Sequence, residues 1–250
     1  MAWNPKRQFT RDGYREHVQT VACETMSGHR TPTIGGRKFL PYWWIQNEIR
    51  VFWGAGITRQ TADLIVAAVD ERIRETVGLP FRFKLFGAHQ SAMEQVAHAT
   101  INGQIDHDRL FASALSESWR DPKCGGQQHA DIYITDKPFV DDTVSWGAAD
   151  FKFGAMVFCL YGNRQNSQSF LRKVALHETN HLLGMYCHCD DYQNVQGLSY
   201  SPRCNMHYSC PSDELCPKCT EFIRDWWAQI AHEYEQSYGQ LQQEYGFASR

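Results

Sequence analysis

Residues 177–184 read His177-Glu178-Thr179-Asn180-His181-Leu182-Leu183-Gly184. At about 100° per residue, positions four apart lie on one face of a helix. His177 and His181 can then reach one Zn²⁺ at about 2.0–2.1 Å. Glu178 sits beside that face, where it can hold a water molecule and accept its proton. Phe170, Leu171, Val174, Leu182 and Leu183 supply the helix with apolar faces, and nothing from Ser167 to Leu183 breaks it. The competing reading is a chance match on an amphipathic helix. Gly184 and a His and Cys shortly after it favour the metal site.

Downstream of the helix the chain turns irregular and rich in cysteine. It has nine cysteines. Cys187, Cys189, Cys204, Cys210, Cys216 and Cys219 crowd into this one stretch. The polar segment Met1 to Gln8 lacks the apolar core of a signal peptide, so a cytoplasmic location is expected and the cluster reads first as metal ligation. Disulfides, or a redox Cys-x-x-Cys, are the alternatives. No apolar run is long enough to span a membrane.

Upstream, Ile49 to Gly54 reads as a strand, and Thr58 opens a helix that ends near Gly78. Phe81 to Phe86 alternates like a half-buried strand. Short helices are expected at 91–100 and 110–119, with a loop at 124–129. Strands are expected at 130–135 and 154–161, separated by a long loop over 138–153. This gives an N-terminal extension (1–45), a catalytic domain (46–240) and a tail (241–250). Within the domain lie an active helix (167–184), a cysteine-rich segment (187–219) and a closing helix (221–238).

Hydrophobic residues make up 42% and aromatics 13%, enough for a sizeable core. The formal charge of -3 is spread along the chain, which argues against a nucleic-acid partner and against a zinc-knuckle nucleic-acid module. A monomer is expected.

After His181 come Gly184-Met-Tyr-Cys187-His188-Cys189, then Cys204-Asn-Met206-His-Tyr208, then Cys216-Pro-Lys-Cys219. The pattern resembles the metzincin metallopeptidases and is most similar to the archaemetzincins. That family joins His-Glu-x-x-His-x-x-Gly-x-x-His-Cys to a Cys-x-Met turn and a closing Cys-x-x-Cys. The match runs from about Ser167 to Cys219. Residues 130–161 are similar in layout only, and 1–48 show no likeness.

The resemblance implies an α+β, metzincin-like zincin fold, with a mixed twisted sheet, active-site helix, Met-turn and C-terminal helix. It implies one catalytic zinc on His177, His181 and a third ligand beyond Gly184. It implies a structural zinc on four thiolates, read here as Cys189, Cys204, Cys216 and Cys219, with Cys187 and Cys210 as spares. Met206 would form an apolar floor under the catalytic zinc. Gly184 would break the helix, because glycine enters left-handed conformations without strain. Gly154 to Phe158 would be the edge strand that pairs with a substrate backbone.

The sequence departs from the family in two places. The family's third histidine falls at position 187, which is Cys187 here, with the histidine one residue later. His188 is the expected third ligand, since a one-residue bulge restores the pattern, followed by Cys187 and then Asp190 or Asp191. The spacing from Cys189 to Cys204 is also long, as if a loop at 192–203 were inserted near the cleft. Tyr208, two residues after Met206, resembles a tyrosine of the astacin branch that approaches the zinc. It could serve an oxyanion, or be a buried aromatic bonded to backbone.

The expected activity is hydrolysis of peptide or protein substrates by a zinc-activated water, with Glu178 as general base. The rivals are a proteolytically silent zinc protein that binds peptides or a partner, and a zinc hydrolase acting on a non-peptide amide. Cys23 raises the further idea of a pro-segment that caps the zinc.

Overall fold

Ile49-Arg50-Val51-Phe52 sends successive side chains to opposite faces of a sheet, and both faces find apolar partners. The computed structural model describes residues 33–34, 37–38, 48–78, 81–111, 129–140, 142, 144–150, 154–185, 188–189, 201–221 and 223–224. Most of the expected N-terminal extension, most of the closing helix and the whole tail lie outside the described residues. Thr33–Ile34 (β1) and Arg37–Lys38 (β2) form a small antiparallel pair.

Among the described residues, the main sheet has five strands. They are β3 (Glu48–Trp53), β4 (Arg82–Gly87), β7 (Ala130–Thr135), β8 (Gly147–Asp150) and β9 (Ala155–Cys159). Their order across the sheet is β4-β3-β7-β9-β8. The pairs β3–β4, β3–β7 and β7–β9 are parallel, and only β8 runs antiparallel. A short antiparallel pair, β5 (Thr100–Ile101) and β6 (Gln104–Ile105), lies apart from it. The expected mixed sheet is present. Its helices and strands interleave, so the fold is a mixed α/β one with a mostly parallel sheet.

Every residue of β7 and β9 is buried, as parallel strands covered on both faces require. One face carries Ile49, Val51, Ile132, Ile134, Met156 and Phe158. Two helices cover it: α1 (Arg59–Thr76), buried through Ile65, Ala68, Val69 and Ile73, and α3 (Gln168–Leu182), buried through Leu171, Val174 and Ala175. Thr58 caps α1, accepting the Thr61 N–H at 3.2 Å, as its place before the apolar stripe predicts. The other face carries Phe52, Tyr133, Val157 and Cys159 against α2 (Gln90–His98). Residues 107–111 begin the second short helix, and the rest of its expected span lies outside the described residues.

Arg172 of α3 bonds Glu71 of α1 at 2.7 Å and Asp213 at 2.9 Å, which ties the two helices to the cysteine-rich segment.

Two expectations change. The 138–153 stretch is not wholly a loop, because Gly147–Asp150 forms β8. Gly-Ala-Ala-Asp carries no strand propensity of its own; its backbone is recruited by hydrogen bonds to β9. Consequently Gly154 to Phe158 is not an edge, since β9 is paired on both sides and β8 is the last strand of the sheet among the described residues.

Ile132 is fully buried between the sheet and α1/α3, whereas Val144 is 81% exposed. Ile132→Ala is expected to cost about 2–5 kcal/mol of unfolding free energy, and Val144→Ala less than about 0.5 kcal/mol. Urea titration followed by circular dichroism measures both.

Candidate metal centre

α3 ends in a turn that also serves its own histidine. Gly184 has φ +102°, the left-handed region open to glycine. The Met185 N–H donates to Asn180 O, and the Gly184 N–H to His181 O, the bond pattern of a Schellman stop. The reversal brings the Met185 carbonyl back over the helix end, where it accepts the Nδ1–H of His181. His177 donates its Nδ1–H to the Asn205 carbonyl at 2.7 Å. Both rings are thereby fixed with the proton on Nδ1 and a lone pair on Nε2.

Those lone pairs converge. His177 Nε2 lies 3.1 Å from His181 Nε2 and 3.2 Å from His188 Nε2, and His181 and His188 are also 3.2 Å apart. Three nitrogens held tetrahedrally by one zinc at about 2.0–2.1 Å would lie about 3.3–3.4 Å apart. Burial, then the neighbouring imidazoles, push all three histidines down to a pKa of about 3. They are neutral near pH 7 and available as donors. The set fits a metal ion.

Glu178 follows His177 on α3 and is buried, and burial pushes its carboxyl up to about 8. A cation among the imidazoles would pull it back toward the carboxylate form. Its side chain lies against the start of β8. A Cβ on Gly147 would fall 2.7 Å from Glu178 Cγ and 3.0 Å from Oε1, too close for any side chain. Arg164 fixes the approach to this strand. Its guanidinium lies between Trp146 and Tyr161, at 4.8 and 4.1 Å from the ring centroids. It donates to the carbonyls of Ser145 at 2.6 Å, and of Val144 and Cys159 at 3.0 Å.

A second cluster gathers Cys189, Cys204, Cys216 and Cys219, with all four sulfurs within 4.8 Å of one another. Cys189 Sγ and Cys216 Sγ are 3.9 Å apart. A tetrahedral thiolate zinc with bonds near 2.3 Å would set sulfurs about 3.8 Å apart. Hydrogen bonds shared among the four thiols pull Cys216 and Cys189 below the ordinary thiol range and push Cys204 and Cys219 above it. All four are free thiols, so neither the disulfide nor the redox alternative has a formed bridge here. Cys210 is buried but stands outside the group, as a spare should. Cys187, Asp190 and Asp191 lie outside the described residues.

Met206 is fully buried inside a turn closed by the His207 N–H on Cys204 O at 3.0 Å. Its sulfur accepts from Asn180 Nδ2 at 3.3 Å. Tyr208 is 65% exposed and so is not the buried aromatic of the alternative reading. Its ring stacks on His188, with centroids 3.7 Å apart and planes at 20°. The sequence reading missed Asn180, Asn205, Gly147 and Arg164. The place of Asn205 between Cys204 and Met206 could have drawn notice. Nothing in a single sequence marks Gly147.

A comparison with protein-family models gives no match, and one with curated proteins gives none either. Among solved structures, the chain is similar to an archaemetzincin from Methanopyrus kandleri, with TM-score 0.49 and 17% identity over 72% of this chain and 94% of that one. It is also similar to a zinc-dependent peptidase from Methanocorpusculum labreanum, with TM-score 0.47 and 16% identity over 70% of this chain and 99% of that one. No helix among the described residues is long and apolar enough to cross a membrane.

If each cluster holds one ion, His188→Ala and Cys216→Ser should each lower the bound zinc by one ion per chain. Elemental analysis of the purified variants reads this directly. A His188→Ala protein with undiminished zinc would remove His188 from the ligand set.

Proposed function

We propose that this chain is a zinc-dependent metallopeptidase, with a catalytic zinc on His177, His181 and His188 and a structural zinc on Cys189, Cys204, Cys216 and Cys219. The observation that carries the reading is the triangle of neutral imidazole nitrogens, with the buried carboxyl of Glu178 following His177 on the same helix. The motif's resemblance to the metzincins, and to archaemetzincins in particular, supports the same reading. Met206, buried in its turn, is the counterpart of the family's Met-turn.

A zinc ion in such a site acts as a Lewis acid toward a carbonyl and lowers the pKa of water to about 7. Glu178 takes the proton of the attacking water on its carboxylate and delivers it to the leaving amine. Burial keeps that carboxylate from being solvated by bulk water, so its proton affinity is directed at the reacting water. Tyr208, stacked on His188 at the exposed side, offers a phenol O–H to the oxyanion.

β8 replaces Gly154 to Phe158 as the strand that receives substrate. On its far side from β9 it pairs with no strand among the described residues, and Gly147 at its start touches Glu178. An extended peptide laid along it would find main-chain donors and acceptors in register with the general base. The substrates are peptides or proteins. We further propose that residues 46–240 form the catalytic domain, that 1–45 and 241–250 flank it, and that the protein works as a monomer in the cytoplasm.

Glu178→Gln should retain its zinc and lose about 10²–10⁴-fold in kcat/KM on a peptide library read by mass spectrometry. Gly147→Ala should also retain zinc and lose about 100-fold, because it displaces the base without removing it. Cleavage by Glu178→Gln at the wild-type rate would sink the assignment. Peptide binding without cleavage by the wild type would favour the silent binding protein instead.

A further inference from the structure

Two short links join the two clusters, one along the chain and one through a hydrogen bond. Cys189 follows His188 directly. Cys204 precedes Asn205, whose main-chain oxygen holds the Nδ1–H of His177 at 2.7 Å. The Cys189 N–H also donates to Met206 O, which crosses the two links.

Asn205 is fully buried and uses each of its polar groups. Its N–H donates to Glu214 O at 2.7 Å. Its Oδ1 accepts from Asn180 Nδ2 at 3.1 Å. Its Nδ2 donates to Lys173 O at 3.0 Å and to Ser212 O at 2.8 Å. Two of these partners, Asn180 and Lys173, lie on α3, the helix that carries His177 and His181. Ser212 and Glu214 lie on the segment that leads into Cys216. A buried amide with all its groups paired cannot shift without leaving several of them unpaired, each costly in an apolar interior. The direction of the Asn205 carbonyl, and with it the ring plane of His177, is therefore set by where the cysteine segment sits.

We propose that Asn205 is a positioning residue through which the four-cysteine site sets the metal affinity of the three-histidine site, so that the two sites fill cooperatively. The proposal rests on the two-metal reading above. Residues 201–216 contain little regular structure, and the four thiols are what draw the segment to one point. With the cysteine site empty, crowded thiols have no reason to stay within bonding distance, and Asn205 loses its anchor at Cys204. His177 then loses the acceptor that fixes its tautomer. Linkage makes the effect mutual: filling the histidine site must strengthen the cysteine site by the same factor.

The test is a Co²⁺ titration of the metal-free full-length chain. Cobalt on thiolates gives intense sulfur-to-metal charge-transfer bands, whereas cobalt on imidazoles gives only weak d–d bands, so each site is read separately. Cys216→Ser should weaken cobalt binding at the histidines by about 10–100-fold. Asn205→Ala, with its four cysteines intact, should weaken the histidine site similarly, and its cysteine site should keep the affinity that it has in His181→Ala, where the histidine site is lost. Adding Cys216→Ser to Asn205→Ala should then cost the histidine site nothing more. His181→Ala should weaken the cysteine site by the factor that Cys216→Ser costs the histidine site.

If Cys216→Ser fails to fold by circular dichroism, Asn205→Ala carries the test alone. A cysteine site weaker in Asn205→Ala than in His181→Ala would mark a merely structural residue and overturn the proposal. So would cobalt at both sites in wild type with affinities that ignore each other. A wild-type chain that takes no cobalt at its imidazoles would instead overturn the metallopeptidase reading, and this proposal with it.

Discussion

Three imidazole Nε2 atoms converge across 3.1–3.2 Å, and the lone pairs fixed on His177 and His181 repel each other unless a proton or a metal cation lies between them. The surrounding chain is organised to hold that arrangement. Two of the rings have their protons committed elsewhere, His177 to Asn205 O and His181 to Met185 O. Neither ring can relieve the repulsion by moving its proton to Nε2 without breaking a buried hydrogen bond. The helix stop at Gly184 supplies one acceptor and the Cys204–His207 turn supplies the other. Helix, stop and turn are thus ordered by the needs of one small volume.

Burial contributes as much as geometry. The same apolar surroundings that keep the histidines neutral keep Glu178 out of bulk solvent. Dryness of this kind requires that something cover the carboxyl, and the cover is the start of β8. A covering strand with a side chain at position 147 would collide with Glu178, so the strand is made of small residues there. Its weak intrinsic preference for extended backbone is compensated from outside. β9 provides the hydrogen-bonding partner, and Arg164 holds the preceding carbonyls between two aromatic rings.

That compromise explains what could and could not be read in the sequence. α1, α3 and the strands β3, β4, β7 and β9 announce themselves because apolar burial shapes their composition at periods of 3.6 and 2. The candidate metal ligands announce themselves because ligand chemistry restricts residue type and spacing: the three histidines and four cysteines expected together lie together. β8 is silent because its first residue, Gly147, answers to a close contact with Glu178 far away in the chain, which no local pattern records. The edge strand was misassigned to β9 for the same reason, since an apolar strand looks alike at the edge and in the middle. Asn180 and Asn205 are silent too. An asparagine in a sequence does not reveal whether its amide meets water or a buried network.

Asn180 illustrates how closely the levels are joined. It is one of the two unspecified positions of His-Glu-x-x-His, yet it faces away from the imidazoles and toward the turn. There its amide donates to Asn205 Oδ1 and to the sulfur of Met206. The carbonyl of the same residue accepts the Met185 N–H and so closes the helix stop. One residue therefore joins the reversal that orients His181 to the turn that orients His177. A hydrophobic residue of similar volume could fill the space, but Asn205 Oδ1 would then be buried without its donor. A candidate metal site braced by polar groups of this kind gains orientation from them more than net stability, because each bond replaces one that water would have made. What they add is a single allowed position for each ring, and that single position is what a site of three converging nitrogens requires.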